Sequence, residues 1–248
     1  MPPLGRRTHR AGERLDRAAR VAVPDDLERV QQAARGQILV AAVERPVYPF
    51  AVRHRPLARA RHLPVIVVPN HHGWHDGYLM FLLVTRLGIR CLDWIQEYEA
   101  FPWFRYVGGM PFPSDDASKR ASTMRRTARL MREGRSLVLF AEGILHRPPE
   151  VLPLGRALET IARRVPEVSV LPVAIHYDMS LHERPEAFIR CGSPIAEGPG
   201  LLERTREALI GELEQVRHDV AQGAPFETLA KGTLDVNERW DVRRTKRF

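Results

Sequence analysis

Val65-Ile66-Val67-Val68, then Asn70-His71-His72-Gly73-Trp74-His75-Asp76, then an apolar stretch from Tyr78 to Leu87: this succession decides the fold. A short, unbroken β-branched run is what a strand buried on both faces requires. The polar loop with its glycine interrupts it, and the apolar stretch reads as a helix. Outward from this unit the pattern repeats. Cys91 to Ile95, Ser136 to Phe140, Val168 to Tyr177 and Ala187 to Cys191 read as strands. Asp115 to Glu133, closed by Gly134, then Gly155 to Arg164 and Leu201 to Ala221 read as helices. Residues 97–107 read as a short helix or loop broken by Pro102, and 108–113 as irregular. Short apolar strands alternating with helices predict an α/β fold, a mostly parallel central sheet flanked by helices. In such sheets sites lie beyond the carboxyl ends of the strands. Segments 71–76 and 141–147 both fall there.

Before this core, Pro24-Asp25-Asp26 suits a helix start, with proline and two acids in the first turn. Leu27, Val30, Ala34, Leu39 and Val43 are loosely helical up to Pro46, and a Pro/Arg/His-rich connection runs from Arg45 to Leu63. The expected organisation is a basic flexible arm over 1–23, an N-terminal accessory helix and linker over 24–62, the main domain over 63–222, and a basic tail over 223–248. Apolar residues make up 44% of the 248 and charged residues 27%, a globular profile. No run of about 18 apolar residues predicts a spanning helix. The polar, Arg-rich start lacks the apolar core of a secretory signal. Cys91 and Cys191 make no disulfide framework, so the expected compartment is the cytoplasm. The net charge of +8 favours anionic partners. No zinc-finger spacing or helix-turn-helix signature accompanies it, and no nucleic acid is expected as a partner.

His71 and Asp76 are five positions apart. On a regular helix that offset places them roughly 140° apart, too far to pair. Pairing needs a turn between them, and Gly73 is available for one. Asp76 would then fix the imidazole tautomer and leave the other ring nitrogen basic. Such a base removes a proton from an alcohol as it attacks a carbonyl. With no serine, threonine or cysteine in the segment, direct attack by the acceptor hydroxyl, without an acyl-enzyme, is the simpler route. A rival reading is a metal centre: His71 and His75, four apart, would share a face of a continuous helix, with Asp76 alongside, as in a metal-dependent hydrolase.

Asn70-His71 followed by Asp76 after a buried strand resembles the first sequence block of the glycerolipid acyltransferase superfamily, which includes the lysophosphatidic acid and glycerol-3-phosphate acyltransferases. Phe140-Ala141-Glu142-Gly143-Ile144-Leu145-His146-Arg147 is similar to the family's Phe-Pro-Glu-Gly-Thr-Arg-Ser block. Val170-Leu171-Pro172-Val173-Ala174-Ile175 resembles its proline-bearing apolar strand. Gly109-Met110-Pro111-Phe112-Pro113-Ser114-Asp115 matches its Gly-x-x-Phe-x-x-Arg block in part. These matches span roughly residues 63 to 178, in family order.

The resemblance implies transfer of an acyl chain from acyl-CoA or acyl carrier protein to a hydroxyl of a lipid-type acceptor, with His71 as general base and Asp76 as its partner. It implies neither cofactor nor metal. The implied substrate-binding set is Asn70, Gly73, Gly109, Phe112, Glu142, Gly143, Arg147 and Pro172. Two departures stand out. Asp115 occupies a family arginine position, and Ile144-Leu145 replaces Thr-Arg. Both family arginines serve the acceptor's phosphate, so a bulkier or less anionic acceptor is expected, with Arg147 or Arg156 as substitute cations. The altered blocks leave open a catalytically idle lipid- or carrier-binding member of the fold. Peripheral attachment to anionic lipid on the inner face of the membrane is expected through the 24–43 helix, the arm and the tail. Trp94, Phe101, Trp103 and Phe104 are candidates for an acyl-lining or membrane-facing patch.

Overall fold

The computed structural model describes residues 38–42, 49–54, 64–100, 102–179 and 185–230. At its centre strand β3 (Val65–Pro69) is buried along its whole length. It lies between two parallel neighbours, β6 (Ser136–Val138) and β7 (Ser169–Asp178). Beyond β6, strands β4 (Cys91–Ile95) and β5 (Gly109–Pro111) continue the parallel part. On the other side β7 pairs antiparallel with β8 (Glu186–Cys191) and with the short β9 (Ile195–Ala196). The sheet then runs on to β2 (Pro49–His54) and β1 (Ile38–Ala42), in the order β1-β2-β8-β7-β3-β6-β4-β5.

Alternation along β3 divides the core into two layers. Val65 and Val67 face helix α1 (Asp76–Arg86) and pack with its buried Leu79, Met80 and Leu83. Ile66 and Val68 face the layer built from α2 (Ala117–Arg132), α3 (Ala157–Ala162) and α4 (Leu201–Ala221). Helix α4 buries Leu201, Thr205, Leu209, Leu213 and Val216, one face at helical spacing. Helix α2 starts where sequence chemistry predicts: the Asp116 side chain accepts from the Lys119 N–H at 2.8 Å, a side-chain cap.

The α/β expectation and its mostly parallel centre hold. Three local expectations change. The helix expected to run to Val43 cannot include Ile38–Ala42, which is β1, and the connection from Arg45 contains β2. The remainder of the expected N-terminal helix and the arm lie outside the described residues, as do Phe101 and most of the expected tail. The tail's first part is β10 (Glu227–Ala230), which pairs with β2, so both flanks of the expected main domain contribute strands to its sheet. Finally, the segment read as irregular around Met110 holds β5. An unbroken apolar run such as Ile38-Leu39-Val40-Ala41-Ala42 carries no period, so pattern alone cannot separate strand from helix there.

Candidate active site

Because β6, β3 and β7 are adjacent, the loops beyond β3 and β6 and the end of β7 converge. Hydrogen bonds knit them together. Fully buried Asn70 accepts from the Ile175 N–H at 2.7 Å and donates to the Ile175 carbonyl at 3.0 Å. Its amide also reaches His72 Nδ1 at 3.0 Å, while His72 Nε2 meets the Glu150 carbonyl at 2.8 Å. That pattern needs the neutral imidazole with its proton on Nε2, and burial lowers the His72 pKa accordingly. On the other side, Glu142 accepts from the His71 N–H at 2.8 Å, the Leu152 N–H at 2.5 Å and His146 Nε2 at 2.7 Å.

The chain turns between His71 and Asp76. The Asp76 N–H donates to the Gly73 carbonyl at 3.1 Å, and α1 begins at Asp76. The Asp76 carboxylate, fully buried, accepts from His71 Nδ1 at 3.0 Å, the Gly73 N–H at 2.8 Å and the Tyr177 hydroxyl at 2.5 Å. Burial first, then the adjacent Asp76 carboxylate, hold the Tyr177 phenol far above its ordinary pKa, so it stays a donor. With Nδ1 donating to Asp76, His71 Nε2 carries the free lone pair. The His71 ring lies 4.3 Å from that of Phe140, and its side chain stays 24% exposed. A buried, fully occupied carboxylate behind a partly exposed imidazole is the geometry of an oriented general base.

Gly73 has a different role from the one expected. A Cβ there would lie 2.5 Å from the Tyr177 ring, so the glycine is required for Tyr177 to reach Asp76. At Gly143, φ is +78°, a left-handed position closing the 140–143 turn with a bond from its N–H to the Phe140 carbonyl.

His71 opens onto a cavity of about 1560 Å³ lined mainly by apolar side chains, among them Trp74, Phe81, Val84, Trp94, Phe104 and Phe112. Strand direction gives its course: His71 lies beyond the carboxyl end of β3, and Arg90 and Arg135, also in the wall, precede β4 and β6. Of the expected substrate-binding residues, Gly109, Phe112 and Gly143 line this cavity. Asn70 and Glu142 lie behind the reactive loop as struts, and Gly73 borders a smaller cavity with His72, His75, His176 and Arg217. Pro172 is buried within β7 and lines neither cavity; it sits where the partner of β7 changes from β8 to β9, its carbonyl accepting from Gly192. Arg147 is exposed, and neither it nor Arg156 reaches the wall, whereas Arg120 does. Sequence reasoning missed Tyr177, His146 and Arg120. Only Tyr177 had a signal, a polar residue ending a buried strand on the site side.

The metal reading loses its premise. His71 to His75 form a loop and turn ahead of α1, not a continuous helix, so the two histidines share no helical face. Among the described residues, the ligand-type side chains brought together are His72, Glu142 and His146, with one ligand atom from each within 4.8 Å of the others. Their nitrogens and oxygens are engaged in the hydrogen bonds already described, and His146 Nδ1 meets the Arg147 carbonyl at 3.1 Å.

Residues 50–176 match the family model described as Acyltransferase. The chain belongs to this acyltransferase family and is an acyltransferase. Among solved structures it is similar to a 1-acyl-sn-glycerophosphate acyltransferase from Thermotoga maritima, at 18% identity and a TM-score of 0.46, covering 86% of this chain and 88% of that one. No curated protein matches it.

Proposed function

We propose that the protein transfers a fatty acyl chain from a thioester, acyl-CoA or acyl carrier protein, to the hydroxyl of a lipid-type acceptor, with His71 as general base oriented by Asp76. The observation that carries the reading is the 3.0 Å contact from His71 Nδ1 to an Asp76 already bound by Gly73 and Tyr177, at the mouth of an apolar cavity. The acceptor hydroxyl gives its proton to Nε2 as its oxygen attacks the thioester carbonyl. Collapse of the tetrahedral intermediate expels the thiolate, which takes the proton from His71. Cys91, the thiol in the cavity wall, is a poor nucleophile because burial pushes its pKa up to about 12. Direct transfer without an acyl-enzyme therefore remains the simpler mechanism, and it calls for no cofactor or metal.

The acceptor is a bulky, weakly anionic lipid alcohol. Ile144 and Leu145, both exposed on the cavity rim, present hydrocarbon where the family pattern has Thr-Arg. Arg120 lines the wall, but its guanidinium is committed to the Pro113 and Ser114 carbonyls. The same rim serves as the membrane contact: Trp74, Tyr78, Phe81, Tyr106, Ile144 and Leu145 are all large, exposed and grouped around this mouth. Among the described residues no helix is long and apolar enough to cross a membrane, which suits a peripheral mode. Thiol release from stearoyl-CoA, measured with lysophosphatidic acid and a panel of neutral lipid alcohols, tests the reading. Faster turnover with a neutral alcohol supports it. Preference for lysophosphatidic acid removes the acceptor assignment, and no turnover with any acceptor removes the catalytic one.

A further inference from the structure

The cavity wall holds a carboxyl that neither the proposed chemistry nor the fold employs. Strand β4 reads Cys91-Leu92-Asp93-Trp94-Ile95. Leu92 and Trp94 face the α2 layer, so Asp93 faces the α1 side with Cys91, beside Val138 in register on β6 and Gly109 on β5. An apolar side chain is what this position calls for. Instead a carboxyl lines the cavity with its Oδ1 buried and without a hydrogen-bond partner. Among the described residues no arginine of the wall pairs with it: Arg120 is held by Pro113 and Ser114, Arg105 by Tyr106, and neither Arg90 nor Arg135 forms an ion pair with it. Burial pushes its pKa up to about 7, the Trp94 N–H drawing the other way. A buried carboxyl oxygen left without a partner destabilises a fold unless something else pairs with it. Gly109, in register on β5, adds no polar group, and Phe104 packs over it, within 2.6 Å of where a Cβ would stand.

We propose that Asp93 is a specificity determinant that receives a hydroxyl carried along the acyl chain, so that the preferred donor is a mid-chain hydroxyacyl thioester rather than a plain saturated one. This rests on the acyl-transfer reading of the same cavity. A hydroxyl both donates and accepts, so it pairs with the carboxyl in either protonation state, and it is small enough for a channel otherwise lined by hydrocarbon. Placement fixes where along the chain it must be. Asp93 is two strands across from Val67 and His71 is four residues on, a separation of roughly 16 Å. The hydroxyl therefore lies well along the chain, not beside the thioester.

The test measures binding of stearoyl-CoA and of a mid-chain hydroxystearoyl-CoA to the wild-type protein, Asp93→Leu and Asp93→Asn by calorimetry, with acyl transfer followed in parallel. Wild type is expected to favour the hydroxylated chain by at least about tenfold, because a site built to pair with a hydroxyl rejects the analogue lacking it. Asp93→Leu, whose melting temperature is expected to rise, should lose that preference. Asp93→Asn, which keeps the shape and can still hydrogen-bond, should retain part of it and serves if the leucine variant fails to fold. An equal ratio in wild type and the variants overturns the role of Asp93 while leaving acyl transfer intact. Failure of the wild type to bind either thioester overturns both.

Discussion

The two sides of the reactive loop are built on opposite principles. Behind His71 every carboxyl and amide has its partners: Asn70, Asp76 and Glu142 together tie β3 to β6 and β7. In front, the cavity wall is mainly hydrocarbon, with the Asp93 Oδ1 left without a partner in it and Ile144 and Leu145 exposed at the rim. The back fixes one geometry before any substrate arrives, the preorganisation a general base needs. The front is left unsatisfied, as a surface must be if a ligand is to complete it. On the proposed reading, chemistry is set on one side and selectivity on the other.

This division breaks most visibly if a residue of each kind is removed. His71→Ala takes away the proposed base and one of the three donors to Asp76, and leaves the Asn70 and Glu142 struts in place. Acyl transfer should fall by about a thousandfold or more, with the melting temperature changed by only a few degrees. Wild-type turnover in this variant would end the catalytic assignment. Glu142→Ala should do the converse as well as the same. It strands the His71 and Leu152 N–H groups and the His146 ring in a part-buried setting, a loss of about 2–4 kcal/mol, and it lets the His71 backbone drift. Thermal unfolding should therefore separate Glu142→Ala, which loses much stability as well as activity, from His71→Ala, which loses activity with only a small loss of stability. Equal stability of the two would show that the network behind the loop is ornament.

Much of the first principle was legible in the sequence, and little of the second. The β-branched run at Val65, the five-residue offset to Asp76 and the need for a turn at Gly73 led directly to the pair the fold brings together. The offset alone excluded a helical pairing, and the loop geometry agrees. Contacts across 71 and 101 residues were not legible, because they depend on which strands are neighbours. Tyr177 reaches Asp76 only because β7 lies against β3, and Glu142 reaches His71 only because β6 lies on the other side. The same dependence misplaced Asn70, Glu142 and Pro172 in the substrate wall. Asp93 had a visible signal, a lone acid in an apolar strand, whose meaning depended on the cavity beside it. At the N-terminal flank the apolar run at Ile38 gave no period to read.

Smaller changes sharpen the comparison. Tyr177→Phe removes one of the three donors to Asp76 and leaves the ring in place. A loss of about 1 kcal/mol in stability is expected, with kcat lowered by about tenfold and KM unchanged, since the phenol touches the orienting carboxylate and not the substrate. Gly73→Ala should reproduce this phenotype by a different route: the new methyl meets the Tyr177 ring at 2.5 Å and drives the hydroxyl off Asp76. A Gly73→Ala variant with wild-type kcat would show that Tyr177 can move without consequence and that the turn tolerates a side chain.

The smallest effect concerns protons rather than side chains. Burial lowers the His72 pKa below its ordinary 6.5, and its Nδ1 must stay unprotonated to accept from Asn70. Unfolded, the ring binds a proton near the ordinary value, so between the lowered folded pKa and 6.5 the unfolded chain holds more protons. Stability from this group is therefore present above about pH 6.5 and is lost as the pH falls towards the folded value. His176, also lowered by burial with Arg217 contributing, acts in the same direction. Urea midpoints measured from pH 7.5 down to 5 should decline for the wild type and decline less steeply for His72→Asn, with His176 maintaining a residual slope. An identical slope in the variant would mean that the Asn70–His72 bond survives protonation, and the back of the loop would then be less rigidly specified than its hydrogen bonds indicate.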